Sequence, residues 1–137
     1  MAGYSGTPLP QKLGIHSGCS VALLNPPEAF SETLGALPEG VTLHTGMPRQ
    51  GEPAVILWFV SRRGDFERRL DSVRKRMAPA TGLWVAWPKK ASGVPTDMTE
   101  NAIREVSLPT GLVDNKVCAL DEIWSGLRLV IRLEHRR

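Results

Sequence analysis

Three short stretches of the chain are apolar without a break: Val21 to Leu24, Ala54 to Val60 (AVILWFV) and Leu83 to Trp87 (LWVAW). Bounded by Gly, Pro and polar residues, such runs suit parallel strands covered on both faces, whereas half-exposed strands alternate. They are the predicted central strands. Between the second and third, GDFERRLDSVRKRMAPATG places Phe66, Leu70, Val73 and Met77 at spacings of four, three and four. That spacing is one face of an amphipathic helix. Strand, helix and strand in this order form a right-handed parallel unit.

The flanking segments give weaker signals. In NPPEAFSETLGALPEG, Pro26 or Pro27 suits the first turn of a short helix and Gly35 its end. Val41 to His44 reads as an edge strand. TGMPRQGEP, which links it to the 54–60 run, is too short for a helical crossover, so this strand is expected to be antiparallel or marginal. Asp97 and Glu100 resemble a capping box, and Met98, Ala102, Ile103 and Val106 supply an apolar face for a helix over about 98–108, stopped by Pro109.

The tail, KVCALDEIWSGLRLVIRL, holds two strand-like runs around DEIWSG. In the second, Leu127, Leu129, Ile131 and Leu133 alternate with Arg128, Val130 and Arg132, the pattern of an antiparallel hairpin strand. The outer strand of this hairpin is a candidate exposed edge and dimer surface; strand order at the edge and oligomeric state stay open. The amino-terminal segment reads as an irregular arm over about 1–18, with Leu9, Leu13 and Ile15 available to cover the sheet. Tyr4, Ser5 and Thr7 reach a site only if this arm crosses the strand ends. The whole predicts one α/β domain over 1–137: a small three-layer Rossmann-like sheet, mostly parallel central strands with a C-terminal antiparallel hairpin.

Composition narrows the class. At 42% hydrophobic and 23% charged, the chain is neither disordered, collagenous nor coiled coil. A net charge of +3 is too mild to indicate a dedicated nucleic-acid binder. The arginines and Lys75 of the 62–76 segment mix with Glu67 and Asp71 around a whole polar face, the pattern of a solvated surface. Cys19 and Cys118 have no metal-ligand spacing and are expected to be buried thiols. His16, His44 and His135 fall in no metal or nucleophile motif, and no serine sits in a G-x-S-x-G elbow. With no secretory pattern at the start and no run of about 18 apolar residues, a cytoplasmic protein without membrane association is expected.

Open α/β sheets bind ligands beyond the carboxyl ends of their strands, and nucleotide cofactors use a glycine-rich turn after the first one. Here that turn is Asn25-Pro26-Pro27-Glu28. Two prolines remove amide donors, and Glu28 adds negative charge where a phosphate would sit. No bound cofactor or metal is expected. GLWVAWPKKASGVPTDMT has the opposite chemistry: Lys89 and Lys90 supply cations, Ser92 a hydroxyl and Gly93 an approachable backbone, with Thr96 and Asp97 leading into the next helix. It is a candidate carboxylate or phosphate site, against the alternative of a solvated loop shaped by Gly93 and Pro95. A second group contains Asn115, Lys116, Asp121, Glu122, Trp124, Ser125 and Arg128. Trp124 is either a stacking surface or, as favoured here, a cap folded back on the sheet. Trp84 and Trp87, three positions apart, point to opposite faces of their strand.

The segments AGYSGTPLPQKLGI, VALLNPPEAF, GLWVAWPKKASGVPTDMTE and GLVDNKVCALDEIWSGLRLV resemble an uncharacterised family of small bacterial proteins, common in actinobacteria, known as domain of unknown function number 3052. The resemblance covers nearly the whole chain and implies no activity. The element order is also similar to a shortened class I methyltransferase. That likeness implies a methyl-donor site, which the NPP turn and one missing helical crossover oppose.

The expected function is a non-catalytic or regulatory domain that binds an anionic small molecule or an acidic protein partner at loop 88–97. Its expected ligand residues are Lys89, Lys90, Ser92, Gly93, Thr96 and Asp97, with Lys116, Trp124 and Arg128 as additions. The alternatives are a reduced methyltransferase-like transferase with Asp97, Asp121 or Glu122 as acid or base, and, less favoured, a nucleic-acid-binding protein.

Overall fold

The computed structural model describes residues 7–135. Tyr4 and Ser5 of the arm therefore lie outside the described residues. Six strands form one sheet: β1 (Ser20–Leu24), β2 (Thr42–Thr45), β3 (Val55–Phe59), β4 (Gly82–Pro88), β5 (Leu112–Ala119) and β6 (Trp124–Ile131). Their spatial order is β2-β1-β3-β4-β6-β5. The first four are parallel to one another, and β6 runs antiparallel between β4 and β5. The three apolar runs are thus the three central parallel strands, and the tail is the antiparallel hairpin.

Helices cover both faces. On one face lie α3 (Arg63–Arg74) and α4 (Glu100–Ser107). Phe66, Leu70, Val73 and Met77 are buried there against Ile56, Trp58, Val85 and Trp87, as their spacing predicts. On the other lie α1 (Leu9–Lys12) and α2 (Phe30–Leu34), where Leu13, Ile15, Phe30 and Leu34 pack on Val21, Leu57, Phe59 and Trp84. Each such apolar side chain contributes roughly 1.5–3 kcal/mol when withdrawn from water. Trp84 and Trp87 divide between the layers. Trp84 is fully buried and its indole Nε1 donates to the Leu13 carbonyl at 3.0 Å, the partner a buried indole requires. A Cβ on Gly126 of β6 would stand 3.1 Å from the Trp84 ring, so this strand keeps a glycine beside it.

Three expectations need correction. The edge strand is short and largely exposed, but it pairs parallel to β1, with Leu43 opposite Val21. Its return to β3 needs no helix: the Gly46 amide donates to Leu23 O and the Ala54 amide to Ser20 O, so segment 46–54 runs back along the length of β1. Nine extended residues reach up to about 30 Å, more than the roughly 17 Å of a five-residue strand and two strand spacings of about 4.8 Å require. Second, α4 is capped by Thr99, whose Oγ1 accepts from the Ala102 amide at 3.0 Å, and not by Asp97. Third, only Cys19 is buried. Cys118 is half-buried on the edge strand, where partial burial raises its thiol pKa against the opposing charges of Lys12 and Lys116. No helix among the described residues is long and apolar enough to cross a membrane.

Candidate functional site

Loop 88–97 leaves the carboxyl end of β4, and most of its polar groups are hydrogen-bonded within the protein. The Lys89 amide donates to Ile123 O at 2.7 Å, and its Nζ donates to Asp121 O at 2.9 Å, fastening the loop to the β5–β6 turn. Ser92 Oγ donates to Lys89 O at 2.6 Å and accepts from the Val94 amide. Gly93, at φ 79°, takes the left-handed conformation that ends this short turn. Thr96 Oγ1 donates to Ser61 O at 2.6 Å and accepts from the Met98 amide. Asp97 Oδ1 accepts from the Arg63 amide at 2.7 Å and so caps α3, the helix before its own. Lys90 is exposed; its carbonyl accepts from the Gly93 amide, and its ammonium has no carboxylate partner among the described residues.

The second candidate group is divided by the register. Arg128 pairs with Trp84 and Lys116, near the amino end of β4, whereas Trp124 pairs with Pro88 at the carboxyl end. Five residues, about 17 Å of strand, separate Arg128 from Lys89. The Arg128 guanidinium lies against Gly82, where a Cβ would fall 2.6 Å from Nε. Trp124 is half-buried and meets Phe59 edge-on at 5.1 Å, the cap expected from the sequence. Asp121 Oδ1 accepts from both the Ile123 and Trp124 amides at 2.8 Å, closing the hairpin turn. Glu122 is exposed. Thr7 does reach this turn: it lines a cleft of about 650 Å³ with Leu9, Lys12, Glu32 and Ile123, where side chains of both signs meet.

A second cleft, of about 420 Å³, lies on the α3 face at the carboxyl ends of β1 and β2. Leu24, Asn25, Gly46 and Met47 line it from the sheet and segment 46–54; Arg69, Ser72, Val73 and Arg76 line it from α3 and the turn just beyond. It exists because β2 returns to β3 through an extended segment, which leaves the space beside α3 unfilled.

The ion pairs of α3 give this cleft its sign. Asp65 pairs with Arg68, Glu67 with Arg63 at 3.0 Å, and Asp71 with Lys75 at 3.1 Å. Arg63 also holds Glu105 of α4 at 3.1 Å, and its bonds to Glu67 and then Glu105 raise its already high pKa. Each acid of the helix thus has a cation, and Arg69 has no described partner carboxylate. Sequence order alone hid this asymmetry, because the mixed charges of α3 average out along the chain but not around the helix. Among the described residues no group of three or more His, Cys, Asp or Glu side chains gathers as a metal site.

A parallel sheet with a cleft beyond its strand ends, between two helical layers, defines the Rossmann-like class, and the antiparallel hairpin narrows it to the class I methyltransferase fold. Similar solved structures bear this out. A SAM-dependent methyltransferase from Aquifex aeolicus is 12% identical over 89% of this chain and 87% of that one, with a TM-score of 0.59. The DhpI–SAH complex is 11% identical over 92% and 83%, with a TM-score of 0.61. Magnesium protoporphyrin IX methyltransferase (ChlM) from Synechocystis PCC 6803 with bound SAM is 9% identical over 90% and 74%, with a TM-score of 0.57. At these identities the likeness is one of fold. The chain belongs to the family described as Protein of unknown function (DUF3052), whose model matches residues 43–133. A comparison with curated proteins finds no match.

The methyl donor of that fold does not fit the turn present here. Asn25 is itself left-handed at φ 56°, and its Nδ2 donates to Phe59 O at 3.2 Å, bridging the ends of β1 and β3. Pro26 and Pro27 follow with no N–H to offer, then the exposed Glu28. Two of the backbone amides that a close-approach cradle would use are therefore missing from this turn.

Proposed function

We propose that the protein is a non-catalytic binding domain that recognises an anionic small molecule in the cleft between the β1 and β2 ends and α3. The observation that carries this reading is the uncompensated Arg69 beside Ser72 in a cleft beyond parallel strand ends, where open α/β sheets take ligands. Residues three apart on a helix stand about 5–6 Å from one another, so the guanidinium and the hydroxyl suit one carboxylate or phosphate. Loop 88–97 is the secondary locus, through Lys90, for an acidic partner. The transferase alternative has little support, since the Asp97 and Asp121 carboxylates accept from backbone amides and the NPP turn lacks two of the amides that would cradle the donor.

Calorimetric titration tests this reading. Inorganic phosphate is expected to bind weakly, in the millimolar range typical of a single charged contact in water, and Arg69→Ala to abolish the heat. S-adenosylmethionine is expected to give none. Phosphate binding unchanged in Arg69→Ala but lost in Lys89→Ala/Lys90→Ala would move the site to the loop. Tight binding of S-adenosylmethionine would overturn the non-catalytic reading.

A further inference from the structure

Segment 46–54 is held at both ends and in the middle. Its ends are tied to β1 through Gly46 and Ala54, and near the second end Thr81 Oγ1 donates to Pro53 O at 2.7 Å and the Gly82 amide to Ala54 O. Its middle is held by one side chain, Arg76, whose Nη2 donates to Pro48 O at 2.6 Å and Gly51 O at 3.0 Å. Between these points Met47 packs on the core and lines the cleft. The segment is a strap across the open side of the sheet, and a guanidinium from beyond α3 fixes its distance from the helix.

Two consequences follow for what the cleft admits. Arg76 is engaged with the strap carbonyls, so Arg69 and Ser72 remain for an anion, enough for one bidentate group. Leu24, Met47 and Val73 make an apolar part of the wall, beside the polar Asn25 and the backbone of Gly46. A volume of about 420 Å³ is within the range for organic ligands and far above the need of a bare oxyanion. Resting on the anion-binding reading above, we infer that the cleft selects a compact organic anion that carries one carboxylate or phosphate group on an apolar ring. In this arrangement Arg76 is a positioning residue: it sets the width of the slot that receives the ring.

The test is calorimetry on the full chain with two probes, phenyl phosphate and inorganic phosphate. The wild type is expected to bind phenyl phosphate about tenfold more tightly, the effect of burying part of a ring. Arg76→Ala is expected to bring that ratio close to one, because the strap no longer holds the apolar wall, and Arg76→Lys to restore part of it by donating to the same carbonyls. Loss of charge alone would weaken both probes alike and leave the ratio unchanged. Equal affinities in the wild type, or a ratio still near tenfold in a folded Arg76→Ala, would overturn the inference while leaving the anion site standing. Phosphate binding indifferent to Arg69→Ala would instead overturn the site itself. Should Arg76→Ala not fold, Met47→Ser keeps the clamp and removes an apolar wall; it must lower the ratio, and an unchanged ratio would overturn the inference.

Discussion

Loop 88–97 and the cleft beside α3 lie at the same end of the sheet and both carry cations, but their polar groups are used differently. In the loop, Ser92, Thr96 and Asp97 hydrogen-bond to backbone groups and Lys89 reaches across to Asp121 O. These bonds join β4, the β5–β6 turn and the start of α3. In the cleft, the acids of α3 are paired elsewhere and Arg69 faces open space. A cation and a hydroxyl at a strand end therefore mark a ligand site only when the fold leaves their hydrogen-bonding capacity unused.

Substitutions that break this contrast differ in size. The largest effect is expected from Trp87→Ala, which removes the buried ring beneath the loop. About 3–5 kcal/mol of stability should be lost, read from urea unfolding, and a loss below about 1 kcal/mol would show that the loop is not anchored there. Asp97→Ala leaves the Arg63 amide uncapped and is expected to cost about 1 kcal/mol. Phosphate affinity should not change; a loss of affinity with stability intact would return Asp97 to the site. Gly93→Ala meets no atom within 4 Å, so its cost, also about 1 kcal/mol, comes only from the left-handed backbone. Arg69→Ala should change stability by less than about 0.5 kcal/mol, as for an exposed residue away from such features. A larger loss in thermal unfolding would make Arg69 a structural residue.

Local patterns made much of the fold legible. The three unbroken apolar runs, the Phe66–Leu70–Val73–Met77 face and the alternation in the last strand each depend on neighbours within the same element. The opposite burial of Trp84 and Trp87 follows from strand periodicity alone. What required tertiary information was of another kind. The direction of β2 depends on pairing with β1, where Ser20 stands opposite Thr42, and on a strap whose path the sequence does not encode as a pattern. Thr99 and Asp97 are both good helix caps, and the choice between them was made by the Arg63 amide, which only Asp97 meets.

The candidate site was less legible for the same reason. Arg69, Ser72 and Arg76 look like any polar helix face until the partners of Asp65, Glu67 and Asp71 are known. Asn25 belongs to a turn whose two prolines disfavour a nucleotide cofactor, and no local pattern marks it as the wall of a cleft. Lys116 and Arg128 lie close to the loop residues in none of the strand registers, which sequence proximity could not reveal.

The most direct test of the anion cleft is a proton–nitrogen correlation spectrum of the labelled protein titrated with phenyl phosphate. The account predicts saturable shifts centred on the amides of Asn25, Gly46, Met47 and Ser72, with those of Lys90 to Val94 unmoved. Shifts confined to Lys90 to Val94, or none at millimolar probe, would contradict it.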